Sequence, residues 1–167
     1  MDISTYFQYC GSTVQNLIKE AVKARSRAYC PYSNFAVGAA ILVEEDEDIL
    51  LLEDDRVYTG CNIESSTLSP TICAERTAAV KAISEGCLKF KMVAVVAHQN
   101  CFTAPCGLCR QTLSEFRGSD GDIDIYMCRP TLGEVLCTKL SKLLPLSFVS
   151  FKKDNIINNS RKTASTL

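Results

Sequence analysis

Three cysteines and one glutamate, spread over two short segments, are of the right types and spacing to do chemistry. The first segment is Cys73-Ala74-Glu75 and the second is Pro105-Cys106-Gly107-Leu108-Cys109. Cys106 and Cys109 are three positions apart, which on a helical turn puts both side chains on one face with Cβ atoms roughly 5–6 Å apart, close enough to share an ion. Cys73 adds a third sulfur from elsewhere in the chain. Three thiolates suit Zn²⁺ and leave its fourth position for a water whose pKa the metal lowers to about 7, whereas a structural zinc site is closed by four ligands. Pro105 suits a helix start and Thr71 is a candidate N-cap ahead of Cys73. Both thiol groups are therefore expected near the positive ends of helices, where the ionised form is favoured.

Glu75 lies two positions beyond one ligand and is not needed to hold the metal. A carboxylate beside a zinc-held water can take its proton and pass it to a substrate. Cys₃ or His/Cys₂ ligands, a glutamate general acid/base and a PCxxC segment together form the signature of zinc deaminases. Arg76 also has a physical task. Three thiolates on Zn²⁺ leave a net charge of −1, which weakens the metal as a Lewis acid, and Arg76 is three positions from Cys73 on the same helical face. A guanidinium donating to a thiolate withdraws part of that charge.

The elements that must position these residues follow from periodicity and punctuation. Ser12 or Thr13 can cap a helix in which Val14, Leu17, Ile18, Ala21, Val22 and Ala28 recur at helical spacing, stopped by Pro31. Residues 35–43 read as a buried strand in which Gly38 and the alanines leave room for something packed close above. The acidic run 44–48 reads as a solvated hairpin tip, with 49–52 returning or extending it. A second strand over 57–64 ends in Asn62 and Glu64, whose alternate positions point to one side. A helix from Cys73 to a stop at Gly86, a strand over 92–97 and a helix from the second cysteine pair to Phe116 follow. Strands over 123–128 and 134–138 and a short helix over 139–144 complete the pattern. Strands alternating with helices imply an α/β fold, an open sheet covered by helices, with the metal site near strand ends at the sheet edge.

At 167 residues and 47% hydrophobic, the chain suits one domain over 1–151. Residues 152–167 are polar and expected to form a flexible tail. No apolar run approaches the roughly 20 residues of a membrane span, and residues 1–10 lack the basic start and apolar centre of a signal peptide, so a cytoplasmic location is expected. Ten cysteines are present, but in a domain of this size without a signal, and with several spaced as ligands, free thiols are the expectation. The net charge of −1 exerts no overall pull toward nucleic acid or membrane. Eight of the 19 acidic residues fall within 44–55, which leaves 18 basic against 11 acidic residues elsewhere.

From about Leu17 to Phe148 the sequence resembles the small homotetrameric zinc-dependent cytidine deaminases. The matching stretches are Cys30-Pro31-Tyr32-Ser33-Asn34-Phe35 with Val37-Gly38-Ala39-Ala40, Gly60-Cys61-Asn62-Ile63-Glu64, Cys73-Ala74-Glu75-Arg76-Thr77-Ala78, Pro105-Cys106-Gly107-Leu108-Cys109-Arg110-Gln111, and Leu143-Leu144-Pro145 followed by Phe148. The resemblance implies a three-layer α/β/α sandwich around a mixed sheet of about five strands, and Zn²⁺ on Cys73, Cys106 and Cys109. It implies hydrolysis of cytidine and deoxycytidine to uridine and deoxyuridine with release of ammonia, a pyrimidine salvage reaction in which zinc hydroxide attacks C4 of the base. By the same resemblance Glu75 shuttles protons, Phe35 stacks near the base, Asn62 and Glu64 bind the ribose hydroxyl, and the Ala74 backbone N–H meets the base carbonyl. Phe148 would enter a neighbouring subunit's site in a homotetramer. The chain departs from the family in a longer acidic segment at 44–55 and in Leu68-Ser69-Pro70-Thr71, which replaces a loop that usually carries an aromatic contact across subunits.

Two other readings compete. In a structural zinc module, Cys101 or His98 would close a four-ligand site and Glu75 would be incidental, leaving Phe35 and the Asn62-Ile63-Glu64 stretch without a purpose. In a polynucleotide deaminase, His usually stands where this chain has Cys73, and a basic, aromatic-lined track is needed; neither is evident, so a free nucleoside is the expected substrate and nucleic acid is not.

Overall fold

A computed structural model of the chain describes residues 3–44, 56–98 and 101–148. In chain order the elements are strand β1 (Ile3–Tyr6), a 3₁₀ turn (Phe7–Tyr9), helix α1 (Ser12–Arg25), strands β2 (Val37–Val43) and β3 (Val57–Cys61), and helix α2 (Ala74–Ser84). Strand β4 (Phe90–Ala97), helix α3 (Gly107–Glu115), strands β5 (Asp124–Cys128) and β6 (Glu134–Lys139) and helix α4 (Leu140–Leu143) follow. The sheet order is β1-β6-β5-β4-β2-β3. β4 and β5 are parallel and every other pair is antiparallel, so the sheet is mixed.

Alternation along the central strands explains the three layers. In β2 and β4, Ala40, Leu42, Ala94 and Val96 face one side, where Leu17, Ile18 and Ala21 of α1 cover them. Ile41, Val43, Val93 and Val95 face the other, where Ala78, Ala79 and Ala82 of α2, Leu113 of α3 and Leu140 of α4 complete a second core with Phe90. Period-2 burial on both faces is what a strand between two helical layers requires. Phe90 is fully buried, and truncating such a side chain to Ala typically costs roughly 3–5 kcal/mol.

Two glycines set how closely the helices sit. A Cβ on Gly38 would overlap the carbonyl oxygen of Ala21, and one on Gly60 would overlap the carbonyl oxygen of Ala74 and the amide of Ala78. The close neighbour expected above Gly38 is thus α1. Gly60 does the same for α2, drawing its first turn onto the edge strand β3 and bringing Cys73 with it.

Several boundaries differ from the sequence reading. The sheet has six strands rather than about five, because Ile3–Tyr6 pairs antiparallel with β6. α1 ends at Arg25, well before Pro31; the Arg25 Nε donates to the Ala36 carbonyl at 3.0 Å and Tyr29 bridges to Ile63, so tertiary contacts turn the chain early. Glu44, the first residue of the acidic run, is not a freely solvated tip: its carboxylate accepts from the Ser119 N–H and hydroxyl, both at 2.7 Å. The remainder of that segment, 45–55, and the tail 152–167 lie outside the described residues. Among the described residues, no helix is long and apolar enough to cross a membrane.

Candidate active site

The sequence places cysteine at the N-cap of two helices. Cys73 precedes α2 and Cys106 precedes α3, each with extended backbone angles, and neither thiol caps a backbone N–H of its own helix. Thr71 is not the cap; its hydroxyl accepts from the Ser65 N–H at 3.1 Å and braces the preceding loop. The uncapped thiols meet instead. Cys73 and Cys106 sulfurs are 3.8 Å apart, Cys106 and Cys109 sulfurs 3.4 Å apart, and all three lie within 4.8 Å of one another. Among the described residues, no other set of His, Cys, Asp and Glu ligand atoms is compact enough to hold an ion, and neither His98 nor Cys101 belongs to this one. A four-ligand site closed by either residue is therefore not formed.

The sulfur cluster fits zinc on its own chemistry. Thiolates are soft ligands that suit Zn²⁺, and three of them on two helix starts would leave one position of a tetrahedral ion open. The Cys73 thiol is pushed down to about 5, chiefly because Cys109 donates to it and then because Arg76 does. Cys109, fully buried, is pushed up by that same bond, by burial and by the neighbouring Glu75 carboxylate. Metal binding requires deprotonated thiols, so a cation between the sulfurs would displace protons from them. Arg76 stands where the sequence placed it: one terminal nitrogen donates to the Cys73 sulfur at 3.7 Å and reaches the Thr71 carbonyl at 3.4 Å.

Glu75 is 4% exposed, which for a carboxylate demands a reason. Burial, the largest influence, pushes its proton affinity up, and the nearby Cys73 sulfur adds to this; its own backbone N–H, Cys109 and Arg76 oppose it. It is outside the three-sulfur group and beside it. Ala74 is fully buried, and as the first residue of α2 its N–H has no acceptor inside the helix.

Asn62 and Glu64 act on one loop. β3 ends at Cys61, so both residues lie past the strand rather than in it. The buried Asn62 carboxamide donates to the Phe35 carbonyl at 2.9 Å and accepts from the Val37 N–H at 2.8 Å. The Glu64 carboxylate accepts from the N–H groups of Tyr32 and Ser33, at 3.0 and 3.2 Å, and from the Ser33 hydroxyl. These bonds, the Ser33 hydroxyl first, hold the Glu64 carboxyl below its usual range. Both side chains bond to the segment 32–37, and together they fix the backbone on both sides of the half-buried Phe35. Ser33 was not singled out in the sequence, although a serine two residues after a proline is ordinary turn chemistry.

Phe148 is 71% exposed and does not pin its own core. Its backbone is nevertheless held, by Gln111 on α3, which the sequence reading quoted within a matching stretch and gave no role. Leu68 is 68% exposed with a φ of 60°, the left-handed region that a leucine adopts only at a cost.

A three-layer α/β fold with a three-cysteine metal site and a buried, non-ligating glutamate at a helix start defines the zinc-dependent deaminase class. Residues 12–121 match the family described as the cytidine and deoxycytidylate deaminase zinc-binding region. The chain is similar to the cytidine deaminase of Sporosarcina psychrophila, 47% identical over 135 residues that span 81% of this chain and 90% of that protein. It is similar to the probable cytidine deaminase of Dictyostelium discoideum, 38% identical over 79% of this chain and 81% of that one. Among solved structures, the cytidine deaminase of Burkholderia pseudomallei superposes with a TM-score of 0.69 at 35% identity, covering 83% of this chain and all of that one. The chain belongs to the cytidine and deoxycytidylate deaminase family.

Proposed function

We propose that Glu75, Ala74, Phe35, Asn62, Glu64 and Phe148 divide the work of nucleoside deamination as follows. The reaction is the zinc-dependent hydrolysis of cytidine and deoxycytidine, in which water replaces the 4-amino group to give uridine or deoxyuridine and ammonia. Zinc held by Cys73, Cys106 and Cys109 supplies Lewis acidity, which makes a water nucleophilic near neutral pH. Glu75 accepts a proton from the attacking water as its oxygen bonds to C4, and gives that proton to N3. It then carries the second proton to the departing nitrogen, so that ammonia leaves as a neutral molecule. Burial suits Glu75 to this cycle, because it raises the carboxylate's proton affinity and so its strength as a base. The Ala74 N–H donates to the base carbonyl, and Arg76 draws charge from Cys73.

Phe35 stacks beside the base, on a loop that Asn62 and Glu64 hold. An ionised carboxylate retains acceptor capacity beyond its loop bonds, and Glu64 with Asn62 uses it on the ribose hydroxyl. Phe148 covers the other side of the base in a neighbouring copy, the assembly being a homotetramer. The enzyme acts in the cytoplasm on free nucleosides released by nucleic-acid turnover, a salvage role.

The observation that carries this reading is the buried Glu75 set beside three sulfurs that no fourth ligand among the described residues closes. Its test is turnover of cytidine, deoxycytidine and a cytosine-containing single-stranded oligonucleotide at equal cytosine concentration. Conversion of the nucleosides with the oligonucleotide untouched is expected. Preference for the oligonucleotide would replace the nucleoside with a polynucleotide substrate.

A further inference from the structure

α3 carries two of the three sulfurs at its start, at Cys106 and Cys109, and the next two residues face a different task. Arg110 donates from Nε to the Pro105 carbonyl at 2.6 Å and from a terminal nitrogen to the Leu143 carbonyl at 2.9 Å. Gln111 donates from Nε2 to the Phe148 carbonyl at 3.0 Å, and its Oε1 accepts from the Phe148 N–H at 3.2 Å. Arg117, just past the helix, donates to the Ser147 hydroxyl at 3.0 Å. Three side chains thus hold the segment that leaves α4, at Leu143, Ser147 and Phe148, and one of them grips both backbone polar groups of a single residue.

A carboxamide that donates and accepts on one residue reproduces the paired bonds of an antiparallel ladder. It fixes the rotation of the peptide units on both sides of Phe148, which no single bond would do. Little of the residue so held is covered by its own chain, since it is 71% exposed. Ordering an exposed terminal segment costs conformational entropy. The two Gln111 bonds and those of Arg110 and Arg117 offset that cost, and their product is an exposed aromatic residue whose backbone is anchored to α3, the helix that carries Cys109.

We infer that Gln111 is a positioning residue for substrate binding: its carboxamide sets the backbone of Phe148 so that the ring is presented, already ordered, to the site of a neighbouring copy. This rests on the reading that Phe148 completes such a site. Without Gln111 the ring still exists but must be ordered at each binding event, so the loss falls on KM more than on kcat.

The test is a double-mutant cycle on the zinc-loaded full chain with cytidine as substrate. Phe148→Ala is expected to raise KM on the order of tenfold, as for loss of one base–aromatic stack. Gln111→Met, which removes both bonds at similar size, should raise KM several-fold with a smaller change in kcat and full zinc content. In the Phe148→Ala background the same substitution should add almost nothing, because its effect acts through the ring. Gln111→Glu keeps the acceptor for the Phe148 N–H and loses the donor, so it should fall between wild type and Gln111→Met; it also serves if the Met variant folds poorly. A KM for Gln111→Met equal to wild type, beside a raised KM for Phe148→Ala, would overturn the positioning role and leave the shared site standing. Fully additive effects would do the same. An unchanged KM for Phe148→Ala would overturn both.

Discussion

The carbonyl oxygen of Ala74 lies so close to Gly60 that no side chain fits between them. This approach seats the first turn of α2 on the edge strand, and Cys73 is the residue just before that turn. Gly60→Ala should therefore force α2 outward, with a loss of roughly 1–3 kcal/mol of stability from overpacking and weaker zinc retention. Chemical denaturation and competition with a chelator measure the two effects. Wild-type values for both would show that α2 does not depend on this contact for its seat.

Cys106→Ala should abolish zinc binding and activity together. Two sulfurs remain, one of them on the far helix start, and the protein supplies no nearby substitute among the described residues. Metal content after dialysis, read beside turnover, checks this; one equivalent of zinc in the variant would reassign the ligands.

Asn62→Ala leaves the Phe35 carbonyl and the Val37 N–H without their partner. An orphaned buried group costs about 1–3 kcal/mol and these part-buried ones less, so the variant should be less stable and bind cytidine more weakly, because Phe35 loses its fixed backbone. Thermal unfolding and KM report the two consequences. A stable variant with weakened cytidine binding would separate ribose contact from loop support.

Glu64 gives the stability of this loop a direction in pH. Its folded pKa is depressed, first by the Ser33 hydroxyl and then by the Tyr32 and Ser33 N–H groups. A depressed pKa means stabilisation that is fully present above the unfolded value of about 4.3 and lost as pH falls through the folded one. The difference in unfolding temperature between wild type and Glu64→Gln should thus be constant above about pH 5 and shrink below it. A difference that grows on acidification would contradict the assignment.

The cluster of Cys73, Cys106 and Cys109, with the buried Glu75 on the turn after Cys73, was legible because residue type and short spacing carry it: Cys106 and Cys109 needed only a helical turn, and Glu75 only its distance from Cys73. The layers were legible from the continuous apolar run in β4 and the helical spacing of Leu17, Ile18 and Ala21. What escaped depends on distant partners. Ile3-Ser4-Thr5-Tyr6 is too short to declare itself and becomes a strand by pairing with residues 134–137. α1 stops at Arg25, well before Pro31: the backbone tightens there, with the Arg27 and Ala28 N–H groups on the Ala24 and Arg25 carbonyls, and the Tyr29 N–H turns away to the Asn62 carbonyl. Asn62 and Glu64 both bond to the segment 32–37 although the strand ends before them at Cys61. Gln111 and Phe148 are 37 residues apart, and no local pattern links them.

Glu75→Gln tests the central claim most directly. The amide keeps the shape of the side chain and leaves the three sulfurs untouched, but cannot take a proton from water. Zinc content should remain at one per chain while cytidine turnover falls by at least the roughly 10²–10⁴-fold of general acid–base catalysis. Near-normal turnover in the zinc-loaded variant would mean that another group moves the protons.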